Sequence, residues 1–174
     1  NVQIPGGVML AGSTYTNCNV NMAGRLSFGD GAVTVDACGR MVYSDRSWAS
    51  KVLCGTVIEG GIEYFVAECR NISTDAAGDA KMSCQIAIPK SERNVVYVSY
   101  QRVDEGIKRP RYEFGVICSN MTSPFDAQSE YTILPPVGYR KPVANTTIKY
   151  IIGLGSDPTV YNRYEEPTLP PTSN

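Results

Sequence analysis

IEYFVAEC, residues 62–69, and MSCQIAI, residues 82–88, are the two stretches that decide the fold class. Both are rich in β-branched, aromatic and other apolar residues, which pack well on the pleated surface of a sheet. Residues 70–81 between them are mostly polar or small and include Gly78, a composition typical of a loop. The pattern therefore predicts two antiparallel strands joined by a long hairpin loop.

Similar short runs extend toward both ends of the chain. In residues 111–118 apolar and polar side chains alternate, as expected for an antiparallel strand with one buried face. Together with the hairpin strands, these runs predict an all-β fold, an antiparallel β-sandwich of the immunoglobulin-like or a related type. The other strands are expected at residues 7–11, 25–28, 32–37, 40–44, 51–58, 94–102, 131–134 and 146–152.

Six cysteines are spread along the chain without a Cys-x-x-Cys pair, and there is no histidine to complete a zinc site. Disulfides formed in an oxidising compartment are expected to stabilise the sandwich, and buried thiols are the alternative. The facing strands favour a bridge between Cys69 and Cys84, although the sequence does not select one connectivity. The six residues are Cys18, Cys38, Cys54, Cys69, Cys84 and Cys118.

Three N-glycosylation sequons begin at Asn71, Asn120 and Asn145. Each has the form Asn-x-Ser/Thr, which is modified on surface loops of secreted proteins. The alternative is that these residues serve only as turn and strand residues. Together with the cysteines, the sequons predict a secreted or cell-surface glycoprotein.

The composition narrows the chemistry. A net charge of −1 does not favour binding to nucleic acid, and no apolar run is long enough to span a membrane. The absence of histidine removes the commonest general base and metal ligand. Asp75 and Asp79 lack the spacing of a calcium loop, so neither a metal nor a cofactor is expected. The carboxylate pairs left for a glycosidase are Glu63/Glu68, Asp104/Glu105 and Glu165/Glu166.

Aromatic residues are the other candidates for recognition. The chain has 11 tyrosines and one tryptophan, and these side chains provide large, stiff and half-polar contact areas. The alternative is that they only pack within the sheets. The predicted binding residues are Trp48, Tyr131, Tyr139, Tyr161 and Tyr164.

Residues 1–164 are expected to form a single domain, and the Pro/Thr/Ser-rich residues 165–174 a linker or tail. The predicted function is an extracellular, non-catalytic structural or adhesive module, such as a surface glycoprotein domain or a filament subunit. Edge strands or the termini are expected to contact protein partners or further copies of the chain. A glycan- or receptor-binding domain is the alternative, and a secreted carboxylate-based glycosidase is the third interpretation.

Overall fold

The fold is known from a computed structural model and is all β in the part of the chain that the structure describes. In that part, no α-helix is present, and hence no helix long and apolar enough to cross a membrane. The described residues are 1–21, 24–39, 51–73, 80–105, 114–119, 131–153 and 157–161. The predicted strand at 40–44, the predicted tail at 165–174 and the loop residues Asp75 and Asp79 lie outside them.

Twelve strands are described, joined by turns and, between the third and the fourth, by a short 3₁₀ helix, Gly29–Gly31. They are β1 (Val2–Leu10), β2 (Ser13–Asn21), β3 (Arg25–Phe28), β4 (Val33–Asp36), β5 (Lys51–Glu59), β6 (Ile62–Ser73), β7 (Lys81–Pro89), β8 (Val95–Val103), β9 (Gly115–Cys118), β10 (Tyr131–Ile133), β11 (Thr146–Ile151) and β12 (Thr159–Tyr161).

The strands form two six-stranded sheets in which neighbours run antiparallel. The order is β1-β2-β3-β4-β9-β10 in the first sheet and β12-β11-β8-β7-β6-β5 in the second. Apolar side chains from both sheets meet in one core, which contains Phe28, Phe65, Tyr100 and Phe114. The predicted hairpin is confirmed, because β6 pairs with β7 and places Cys69 opposite Cys84.

Two strands escaped the prediction. In β2 the residues STYTNCNVN are mostly polar, and Cys18 is the single buried residue, so no apolar alternation marks the strand. The β1–β2 turn places Ala11 and Gly12 at φ angles of 50° and 79°, as expected for a tight hairpin turn with two left-handed residues. The strand β12 has three residues and is too short to produce a periodic pattern.

Burial differs between a strand near the edge of a sheet, such as β2, and a strand at the centre of a sheet, such as β7. In β2 only Cys18 is buried, whereas residues Met82 to Pro89 of β7 are all buried. Antiparallel sheets usually leave one face in water, so the second sheet departs from that rule in its centre. Polar side chains on its outer face must therefore find partners within the protein.

Candidate functional site

Cys38 and Cys84 come from different sheets and meet in the core. Cys38 follows β4 in the first sheet, and Cys84 lies in β7 of the second. Their Sγ atoms are 3.7 Å apart and share a hydrogen bond. Both side chains are buried, with 0% and 2% of their surface exposed. The two thiols therefore form a direct contact between the sheets.

Backbone geometry holds Cys38 in this position. One carboxylate oxygen of Asp36 accepts hydrogen bonds from the backbone N–H groups of Cys38 and Gly39, at 3.0 and 2.8 Å. The hydroxyl of Tyr100 in β8 donates to the carbonyl of Ala37 at 2.7 Å. The buried aspartate thus fixes the turn that follows β4, and the buried tyrosine ties that turn to the opposite sheet.

Gly24 closes the contact from the side. Its φ is +72°, and a Cβ atom there would lie 2.7 Å from Cys38 Sγ and 3.4 Å from Cys84 Sγ. The first distance is shorter than atoms tolerate, so the position requires glycine. We call Gly24, Ala37, Cys38, Cys84 and Tyr100 the thiol joint. The sequence marks its cysteines but carries no signal for Gly24 or Tyr100.

Two other cysteines, Cys69 and Cys54, lie near the thiol joint in the second sheet. Cys69 is the cross-strand partner of Cys84, and Cys54 lies in β5 beside Ala67 of β6, two residues from Cys69. Cys18 in the first sheet is close enough to Cys54 for electrostatic repulsion between the two groups to raise the pKa of the Cys18 thiol. Cys118 lies elsewhere in the core, opposite Val33 and Tyr131. No two of the six sulfurs are at disulfide distance.

The thiols are held in their neutral form. Burial, and to a smaller extent a neighbouring thiol, raises the pKa of Cys18 to about 12 and that of Cys54 to about 11. Hydrogen bonding to Cys38, together with burial, raises the pKa of Cys84 well above its ordinary value. Hydrogen bonding to Cys84 lowers the pKa of Cys38, but burial and the nearby Cys69 and Asp36 leave it raised. The thiolate is the reactive form, so the folded core suppresses thiol chemistry.

A row of polar residues crosses the outer face of the second sheet. Cross-strand pairing joins Glu68 to Gln85, Gln85 to Ser99, and Ser99 to Thr147. All four are buried, and Ser99 and Thr147 share a hydroxyl hydrogen bond of 2.8 Å. The sequence did not single out this row, because its members lie far apart along the chain.

Glu68 is the charged member of the row. Its two carboxylate oxygens accept hydrogen bonds from Arg70 Nε and Nη2 at 2.7 and 2.9 Å. The Glu68 side chain is 3% exposed and that of Arg70 is 44% exposed. The bidentate geometry compensates the buried carboxylate, while arginine keeps contact with water.

Three of the candidate catalytic carboxylates, Glu63, Glu68 and Asp104, form ion pairs, whereas Glu165 and Glu166 lie outside the described residues. Glu63 accepts a salt bridge from Lys90 at 2.6 Å, and Asp104 binds Arg102 at 2.7 Å. Glu63 and Glu68 are an odd number of residues apart in β6 and therefore point to opposite faces. They cannot flank one glycosidic bond. Among the described residues, no group of three or more carboxylates and thiols is arranged to hold a metal ion.

Two of the three sequons lie in described segments, and Asn120 lies outside them. Asn145 is exposed with a φ of 57°, in the turn before β11. Asn71 is partly buried at the bulge of β6, where its Oδ1 accepts a hydrogen bond from Arg102 Nη1 at 3.2 Å. The hydroxyl residues that complete both sequons, Ser73 and Thr147, are buried, so glycan attachment would have to precede folding.

The predicted aromatic site is divided between the sheets. Tyr131 begins β10 of the first sheet, and Tyr161 ends β12 of the second. Tyr139 packs partly against the shared core, whereas 46% of the Tyr161 surface is exposed. Trp48 and Tyr164 lie outside the described residues. The described tyrosines therefore belong to separate surroundings, and Tyr161 alone among the described candidates is shown to have an exposed ring.

Asn94 connects the sheets by hydrogen bonds at a second place. Its side-chain Oδ1 accepts from the N–H of Ala11 at 2.7 Å, and its N–H donates to the carbonyl of Met9 at 2.8 Å. Its own carbonyl accepts from the N–H of Ile152 at 2.8 Å. We call this group the Asn94 joint. A depression of about 270 Å³ lies beside it, lined by Met9, Gly12, Ser13, Thr14, Arg93 and Asn94.

No protein family, curated protein or solved structure matches the chain.

Proposed function

We propose that the chain is an extracellular, non-catalytic structural or adhesive module that associates with further copies of itself through strand β5. Its two sheets would form a disulfide-stabilised sandwich of the immunoglobulin-like or a related type. The observation that carries the proposal is that β5 is an edge strand, since no described strand pairs with its outer side. Edge strands present unpaired backbone groups, and pairing them with another chain is a common route to assembly.

The edges of the two sheets differ in how well they could accept another strand. At the edge of the first sheet, β1 carries Pro5 and an irregular register between Gln3 and Val8, features that obstruct edge pairing. The edges formed by β10 and β12 have three residues each. By contrast, β5 pairs with β6 in continuous register over nine residues. In the described chain, β5 is thus the one long and regular edge.

The sequence of β5, KVLCGTVIE, is complementary to itself in an antiparallel arrangement. With a two-fold axis at Gly55, Lys51 of one copy lies opposite Glu59 of the other. The same register places Val52 opposite Ile58, whose side chain is 73% exposed in the single chain. Opposite charges and apolar pairs across antiparallel strands are stabilising. Charge complementarity therefore favours a second copy of this chain as the occupant of the edge.

The expected interface is small. A nine-residue edge buries less than the roughly 1,600 Å² of a standard stable interface, so association should be weak and concentration-dependent. Weak contacts suit a module that gains strength from repetition in a filament or on a surface, because multivalency multiplies affinity.

The experiment is sedimentation of the purified chain over a range of concentrations. Lys51→Glu should weaken association about tenfold, because like charges then face each other at both ends of the interface. Lys51→Glu combined with Glu59→Lys should restore it. Lys141→Glu is the matched control, since it makes the same charge change at an exposed loop position. A wild-type chain that remains monomeric at high concentration would refute assembly through β5.

The extracellular part of the proposal is supported by the sequons and by the number of buried cysteines. Expression through a eukaryotic secretory pathway followed by glycopeptide mapping tests it. Occupancy is expected at Asn145, which lies in an exposed turn. Secretion with all three sequons unmodified would remove the glycoprotein assignment.

Glycan or receptor binding is the second candidate function, because Tyr161 has an exposed ring and pairs with Thr147 at the end of the polar row. An exposed tyrosine beside polar groups offers stacking and hydrogen bonding to a saccharide. A glycan array would test this candidate, with Tyr161→Ala as the variant that abolishes binding. Saccharide binding by a chain that does not self-associate would favour it over the structural module.

A further inference from the structure

We propose that Cys38 and Cys84 form a disulfide bond that joins the two sheets. The inference rests on the disulfide stabilisation proposed above and identifies one bond of it. Neither the spacing of the cysteines nor the facing strands of the hairpin points to this pair, since Cys38 lies outside the hairpin. The proximity of the two sulfurs arises only when the two sheets pack together.

The separation of the two sulfur atoms is compatible with closure. They are 3.7 Å apart, and a disulfide requires about 2.05 Å. Rotations of the two side chains have to supply the difference of about 1.7 Å. The two thiols already make a hydrogen bond, so no other atom stands between them.

Cys69 is the competing partner for Cys84, because it lies directly opposite on the neighbouring strand and its thiol also hydrogen-bonds to that of Cys84. The arrangement favours Cys38 for two reasons. If Cys84 bonds to Cys38, Cys69 still has Cys54 as a neighbouring cysteine in the same sheet. If Cys84 bonds to Cys69 instead, Cys38 is left without a second cysteine with which to pair. The bond to Cys38 also spans 46 residues of chain and so restricts the unfolded state more than the short hairpin bridge.

The residues around the pair form a built setting for the bond. At Gly24 only a hydrogen atom fits beside Cys38, because a Cβ atom at this position would lie 2.7 Å from Cys38 Sγ. Asp36 and Tyr100 hold the backbone on either side of Ala37. These contacts orient Cys38 toward the opposite sheet in the absence of the bond.

The oxidation requires a disulfide oxidant, for which oxidised glutathione is the probe. One cysteine thiolate attacks oxidised glutathione and releases one reduced glutathione, leaving a mixed disulfide. The second cysteine thiolate attacks the mixed disulfide, forms the Cys38–Cys84 bond and releases a second reduced glutathione. Both protein thiols lose their protons to solvent or to the departing glutathione thiolates. Because the folded core keeps both thiols neutral, we expect the bond to form during folding.

The experiment starts from the reduced, unfolded chain, which is refolded with a mixture of oxidised and reduced glutathione. Remaining thiols are alkylated, and the protein is digested with trypsin without reduction. Cleavage after Arg25, Arg40, Lys81 and Lys90 gives peptides 26–40 and 82–90. The expected product is these two peptides joined by a disulfide. A product that joins 52–70 to 82–90 would overturn the proposal, as would a folded chain with Cys38 or Cys84 fully alkylated.

Two variants form a matched pair. Cys69→Ala should retain the linked peptides and keep the shift in thermal midpoint between the oxidised and reduced forms. Cys38→Ala should lose the linked peptides and show a smaller shift, and if it fails to fold, the mapping of the wild-type chain still decides the question. A shift of the full wild-type size in folded Cys38→Ala would contradict the proposal. The refolding experiment uses no cells. A negative result therefore concerns the Cys38–Cys84 bond itself and is distinguishable from a failure of secretion or of assembly through β5.

Discussion

The two connections between the sheets use different chemistry. The Asn94 joint consists of hydrogen bonds from one residue to β1 and to the residue that follows β11. The thiol joint places two sulfurs in contact within the apolar core and adds one tyrosine hydroxyl. Asn94 precedes β8 by one residue, and Tyr100 of the thiol joint lies further along the same strand, roughly 20 Å away at about 3.3 Å per residue.

This difference in chemistry determines how each joint responds to reducing or oxidising conditions. Backbone and amide hydrogen bonds are not oxidised, so the Asn94 joint has one chemical state. Under the proposed disulfide the thiol joint has two states, one with the sulfurs hydrogen-bonded and one with them covalently bonded. We therefore expect substitutions at the Asn94 joint to have equal effects under reducing and oxidising conditions, whereas those at the thiol joint should depend on redox state.

The largest effect is expected for Gly24→Ala in the thiol joint. The new Cβ would meet Cys38 Sγ at 2.7 Å, and overpacking plus a left-handed alanine should destabilise by about 3 kcal/mol. Gly12→Ala is the control, because its φ of +79° is similar but no atom lies within 4 Å of the new Cβ. It should cost about 1 kcal/mol. Urea unfolding measures both, and equal costs would mean that close packing at Gly24 contributes nothing.

Asn94→Ala is next and tests the other joint. It removes the acceptor for the Ala11 N–H and places alanine at a φ of 62°, so we expect a loss of about 2.5 kcal/mol. Asn94→Gly tolerates the backbone angle and should lose about 1 kcal/mol for the hydrogen bond alone. The free energies of unfolding should be unaffected by reductant. A redox-dependent loss would show that the two joints are not independent.

Tyr100→Phe should destabilise by about 2 kcal/mol, since it leaves the buried carbonyl of Ala37 without the hydroxyl that binds it at 2.7 Å. The control is Tyr97→Phe on the same strand, where the ring is partly exposed. Chemical unfolding of both variants in the reduced state provides the measurement. A loss at position 97 equal to that at position 100 would argue against a role for the buried hydroxyl.

The smallest effect concerns alkaline pH and separates the two states of the thiol joint. The pKa values of Cys38 and Cys84 are raised above the ordinary 9.0 in the folded chain. Their contribution to stability is therefore complete below pH 9 and declines as the pH rises above it. Between pH 8 and pH 9.5 the reduced chain should therefore lose more stability than the disulfide-bonded chain, which lacks these two thiols.

Unfolding curves of both forms at the two pH values provide this comparison. Other thiols and Tyr100 titrate in both forms, so the difference isolates the pair. Parallel losses in the two forms would mean that Cys38 and Cys84 are in the same chemical state in both samples.

The sequence alone predicted the all-β class and the central hairpin, because the pattern of apolar residues along a strand is set locally. It placed β6, β7 and β8 close to their observed bounds. It missed β2, in which one buried cysteine stands among polar residues. Its preferred cysteine pair, Cys69 and Cys84, lies opposite in the sheet, as adjacent strands of one hairpin allow.

The contacts between the sheets were decided by the tertiary structure. Cys38 meets Cys84, Tyr100 meets Ala37, and Asn94 meets Ala11 across separations of 46, 63 and 83 residues. No local pattern encodes such meetings, because they depend on how two finished sheets stack and slide against each other. Side-chain periodicity thus determined which residues turn inward, and packing of one sheet on the other determined which of those residues touch.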